Sequence, residues 1–151
     1  MLTIARREAL LVAIAICAAC TARPEAEPSQ AQLVGTYVLT KAPKECRTPT
    51  NASHAVAQVK LAADSSFRID GLPSCFADDR APDTRLAGTI AGRWSVSKVE
   101  GEYVLELLVQ SGPLQHGWNL GVEIRGRTAP FELYFVVGDP DSRTGLVFVR
   151  A

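Results

Sequence analysis

Histidine is scarce in this chain of 151 residues: His54 and His116 are the only two. Ser53 and His54 are neighbours, and neighbouring side chains on a strand point apart, so they make no nucleophile–base pair. No Gly-x-Ser-x-Gly elbow occurs elsewhere. His116 falls in a loop, where a solvated imidazole is the default. The sequence therefore offers no catalytic residue, and neither an enzyme nor a cofactor is expected. Charge of one sign is lacking too. Without residues 1–19, which hold two arginines and one glutamate, 14 basic and 15 acidic side chains remain. That balance, with no polybasic run, gives no electrostatic footprint for nucleic acid.

Long apolar runs are also missing. The longest, Ala9–Ala19, has 11 residues and would rise about 16 Å as a helix, against a hydrocarbon core of roughly 30 Å. A permanent transmembrane helix is not expected. Arg6 and Arg7 precede the run and small residues end it, which is the layout of a secretory signal over residues 1–19.

The end of that segment, Cys17-Ala18-Ala19-Cys20, resembles the lipobox of bacterial lipoproteins. In that family the cysteine after the small residues receives a diacylglyceryl group and becomes the new N-terminus. Carried over, the resemblance makes Cys20 the lipid attachment site, with palmitate among its acyl groups, and the membrane a partner through that anchor. Cys17 departs from the pattern, standing where Leu or another aliphatic is usual. It is not the lipidated residue itself, because Ile16 before it is too large. Thr21 is not Asp, which by the same resemblance favours the outer membrane, facing the periplasm. Ordinary cleavage nearby, for example after Ala22, would instead give a soluble secreted protein.

Thr21–Gln32 has two prolines, no aromatic residue and no aliphatic larger than Ala. Such a stretch buries too little to fold. Residues 20–32 are expected to be the lipidated cysteine and a disordered tether, holding the rest about 20–40 Å from the lipid.

Residues 33–151 suffice for one domain. Helical periodicity is absent from them, apart from room for one turn near Ala52–Gln58. Period two takes its place. Trp118, Leu120, Val122 and Ile124 alternate with polar residues, as do Tyr103, Leu105, Leu107 and Val109. Eight such segments fall at 34–40, 56–61, 66–70, 89–98, 102–109, 118–125, 131–137 and 145–150. The expected fold is all-β, an eight-stranded antiparallel meander closed as a lipocalin-like barrel, or else a β-sandwich. In a closed barrel of this size the interior is filled by side chains or holds one small apolar ligand.

A meander also sorts the connections. Those after the first, third, fifth and seventh strands share one end and are long; the other three are short. Cys46 and Cys75 sit one in each of the two longest connections. The topology thus brings them to one end, where an oxidising periplasm would join them in a disulfide. Two buried free thiols are the alternative. The tether enters at the short-turn end, so the long loops should face away from the membrane. Asp78, Asp79, Arg80, His116 and Trp118 are the candidate partner-contact residues there, for an envelope protein or a glycan. With Asp83, the first two aspartates could hold Ca²⁺, but Arg80 intrudes and the spacing is not that of an EF-hand, so a solvated loop is the better reading. Trp94, Trp118, Tyr37 and Tyr103 are core by default. Asp139-Pro140-Asp141-Ser142 reads as a type I turn making the last hairpin and nothing else.

Several signposts recur along the strands: Gly35-Thr36-Tyr37, Leu61–Phe67, Leu72–Phe76, Gly92-Arg93-Trp94 and Leu133–Ser142. Their order resembles a group of bacterial envelope lipoproteins that have no established activity. The resemblance implies a compact β domain and no particular chemistry. A looser resemblance, to lipocalin-like barrels, is carried by Gly35-Thr36-Tyr37 and the terminal Arg150.

Overall fold

A computed structural model describes residues 22–46, 56–76, 88–114 and 116–151. Eight strands form one closed antiparallel barrel in sequence order. They are β1 (Gly35–Lys41), β2 (Gln58–Leu61), β3 (Ser66–Asp70), β4 (Thr89–Val99), β5 (Glu102–Ser111), β6 (Asn119–Arg125), β7 (Glu132–Val136) and β8 (Gly145–Arg150). Each pairs with its neighbours, and β8 closes onto β1 from Tyr37 opposite Arg150 to Lys41 opposite Val147. Closure excludes the sandwich. The expected helical turn near Ala52–Gln58 lies largely outside the described residues; Gln58 opens β2.

Alternation decides what faces inward. Val59, Ile69 and Ile90 lie side by side across β2–β4, and Trp94, Leu107 and Leu120 do so across β4–β6. Tyr37, Val59, Ile69, Leu105, Leu107, Val122, Ile124, Leu133 and Phe148 are 0% exposed. A cavity wide enough for water would leave exposed area on such a lining, so the middle of the barrel is filled. The Phe135 and Phe148 rings pack 5.1 Å apart within it. Fully burying a Leu, Ile, Val or Phe is worth about 1.5–3 kcal/mol each, which makes this stack the main stabilising term. Tyr103 is only half-buried. Trp118, expected in the core, is 43% exposed: β6 begins one residue later, at Asn119, which leaves the indole on the rim.

Local chemistry fixes the short turns. Between β4 and β5 only Glu100 and Gly101 remain, with φ of 50° and 89°. Two consecutive left-handed residues make a type I′ hairpin, which matches strand twist and demands a glycine here. Between β2 and β3, Asp64 Oδ1 accepts from the Ser66 backbone N–H at 2.9 Å and from Ser66 Oγ at 2.6 Å.

The segment before the barrel departs most from expectation. Residues 22–33 cross the short-turn end, touching the β2–β3 and β6–β7 turns and the first residue of β5. The Gly126 N–H donates to the Ala22 carbonyl at 2.6 Å. Arg23 pairs with Glu102 and, at 3.5 Å, with Glu123. Gln30 Nε2 donates to the Ala63 carbonyl at 2.6 Å. One helical turn, α1 (Gln30–Leu33), ends the crossing, with Gln32 Oε1 accepting from the Ser29 N–H at 2.8 Å. Composition predicts a free tether because it counts only the segment's own apolar area. The barrel supplies the missing partner surface: Pro24, Pro28 and Leu33 are buried against it. Among the described residues no helix is long and apolar enough to cross a membrane.

Gly92 tests the packing. A Cβ there would stand 1.9 Å from the Leu108 carbonyl oxygen and 2.9 Å from the Phe67 ring. Gly92→Ala should destabilise the barrel by about 3 kcal/mol, read as a lower urea midpoint with an unchanged slope.

Candidate functional site

At the end opposite α1, two 3-10 turns, Lys44–Cys46 and Ser74–Phe76, carry the two cysteines. They form a disulfide with a Cα–Cα distance of 5.5 Å. Both sulfurs belong to buried residues, so the bond is part of the core as well as a clamp on the rim. Phe76 continues the contact inward, its ring 5.7 Å from that of Phe135 and edge-on to it.

Beside the clamp lies a groove of about 300 Å³, bounded by Pro43, the disulfide, Val137, Asp139 and Thr144. Its far wall is the β7–β8 connection. Pro140–Ser142 forms a 3-10 turn there, with Asp139 as its cap. Asp139 Oδ1 accepts from the Asp141 N–H at 2.9 Å, and Ser142 Oγ donates to the Asp139 carbonyl at 2.7 Å. The turn therefore does more than close the last hairpin, since it also walls the groove. Asp139 and Ser142 spend their polar atoms on the turn itself. The groove thus offers a ligand its shape more than free hydrogen-bonding groups.

The predicted contact residues divide. His116 and Trp118 sit exposed in the β5–β6 connection at this same end. Asp78, Asp79, Arg80 and Asp83 lie outside the described residues, in the connection that leaves Phe76 and returns at Gly88; His54 and Cys20 lie outside them too. Among the described residues no group of three or more His, Cys, Asp and Glu gathers as a metal site would require. Sequence reasoning missed Pro43, Val137 and Thr144. Their spacing carries no signal, because the barrel brings together two connections more than ninety residues apart.

The remaining charge chemistry is on the wall and at the short-turn end. Arg125 stacks over the Tyr134 ring at 3.3 Å and pairs with Glu123 at 3.0 Å. Tyr134 in turn donates to the Arg143 carbonyl at 2.7 Å. Asp70 is held below the usual carboxylate range by its hydrogen bond to Arg68, with a further bond from Thr89. Under α1, Tyr37 donates to the Leu33 carbonyl at 2.8 Å, and Arg150 donates to the Val34 carbonyl at 2.7 Å. Burial pushes the Tyr37 phenol up, and the nearby Arg150 opposes that only in part.

No family model matches the chain, and neither a curated protein nor a solved structure matches it.

Tyr37 gives a pH signature with a defined sign. Its folded-state pKa lies above its unfolded value near 10. Its stabilising contribution is complete below that pH and declines as pH rises beyond it, where the unfolded chain loses the proton first. Tyr37→Phe should flatten this alkaline decline. At neutral pH it should cost about 1–2 kcal/mol, since the buried Leu33 carbonyl loses its donor. Denaturant titrations between pH 7 and pH 11 read both effects.

Proposed function

We propose that this protein is a bacterial envelope lipoprotein, anchored through a diacylglyceryl group on Cys20, that binds an envelope protein or glycan with its loop end and performs no catalysis. The basic start, the short apolar run and the small residues before Cys20 support the anchor. Thr21 after it supports the outer membrane, facing the periplasm. The signposts from Gly35-Thr36-Tyr37 to Leu133–Ser142 support kinship with the envelope lipoproteins of similar pattern.

One observation carries the binding role. The chain arrives at the short-turn end, while the groove, the disulfide and the exposed Trp118 are all at the other. Tryptophan is enriched among residues that dominate binding energy, and 43% exposure on a clamped rim is where such a residue gains most on being covered. The other function considered, carriage of an apolar molecule inside the barrel, is disfavoured by the inward side chains that stand at 0% exposure.

Photo-crosslinkers at positions 118 and 138 should trap a partner in intact envelopes, whereas one at position 108, an exposed leucine of the outer wall, should not. Equal trapping from all three positions would remove the loop-end assignment. Mass spectrometry of the mature chain should find Cys20 N-terminal and acylated.

Removing the clamp should separate shape from stability. Cys46→Ala with Cys75→Ala frees a loop of 29 residues, a loss of about 3–4 kcal/mol in the chain-entropy model. The barrel should persist, with weaker crosslinking from position 138.

A further inference from the structure

Residues 22–33 set the height at which an anchored barrel would ride. Ala22 is already fixed to the barrel, its carbonyl bonded to Gly126 in the β6–β7 turn. Pro24 and Pro28 are buried further along, and Leu33 is fully enclosed. The Arg23 pairs add little by themselves, because their side chains are a quarter to a half exposed and such pairs are worth about 0–1 kcal/mol. The apolar contacts hold the segment, and Arg23 fixes its register across β5 and β6.

Only Thr21 separates Ala22 from Cys20. Two residue steps span at most about 7 Å. An acylated Cys20 keeps its glycerol at the level of the lipid headgroups, so the β6–β7 turn must lie close above them. We infer that the short-turn end of the barrel is a seat on the bilayer surface: the β4–β5 and β6–β7 turns rest against lipid headgroups, and the loop end is held one barrel length away. This rests on the lipoprotein reading and deepens it. The seat is suited to a headgroup layer rather than to one charged partner. Val99 is 49% exposed at the tip of β4, and the charges around it are mixed: Glu100 and Lys98 on one turn, with Arg127 near Glu25 on the other. The anchor, and not electrostatic attraction, supplies the affinity.

The test uses the lipidated full chain in vesicles of phosphatidylethanolamine and phosphatidylglycerol that carry an acceptor-labelled lipid. A donor fluorophore is placed at Val99→Cys or at His116→Cys, with the disulfide left oxidised. Energy transfer should be several-fold stronger from position 99 than from position 116. Inserting twelve Gly/Ser residues between Thr21 and Ala22 adds about 20 Å of flexible reach. It should cut transfer from position 99 at least twofold, and the insertion lies outside the packed residues. Equal transfer from both positions, or no response to the insertion, would overturn the seat while leaving the anchor in place. A Cys20 found unmodified in the same preparation would overturn the anchor and the seat together. The Cys20→Ser chain made without residues 1–19 should stay in solution; strong binding of that chain to the vesicles would overturn the claim that the anchor supplies the affinity.

Discussion

The pairing of β8 with β1 is the constraint on which everything else in this molecule depends. It turns an eight-stranded sheet into a wall without edges, so no backbone row is left to recruit another chain. It also gives the molecule an inside, and it assigns every connection to one of two ends. At the seam Arg150 reaches over Gly35 to the carbonyls of Gln32 and Val34. The last side chain of the wall thereby fastens the segment that precedes the first. Closure and the plug beneath it are one arrangement, and Tyr37, donating to Leu33 from the adjacent strand, belongs to it.

The wall was legible because its code is short-range. Period two in Trp118–Ile124 or Tyr103–Val109 depends only on which face is wet, and the barrel preserves that distinction on every strand. The disulfide was legible for a different reason: the meander places Cys46 and Cys75 at one end whatever the loops do in detail. Trp118 misled as a core residue because it continues the alternation one position past the last residue that the barrel mouth encloses. Residues 22–32 misled because their own composition is too polar and too rich in proline to fold alone. One local signal did point to order: Ser29-Gln30-Ala31-Gln32 before Leu33 has the spacing of a helix-start capping box. The groove left no trace at all, since it exists only when Pro43 and Thr144 face each other.

The two ends differ in kind. The short-turn end is determined by hydrogen bonds to the backbone, with a type I′ turn, an Asp64-capped turn and a segment strapped across that end. It has little freedom to vary. The loop end is determined by a single covalent bond and by a turn that satisfies its own polar atoms.

The Cys46–Cys75 bond also bears on timing. Until it forms, the barrel holds on its packing alone, weaker by about 3–4 kcal/mol in the chain-entropy model. If the chain is exported as proposed, both thiols stay reduced where it is made and the cross-link closes only on the oxidising side. The bond that shapes the rim would then act as a ratchet, leaving the protein easiest to unfold before passage and hardest to unfold after it.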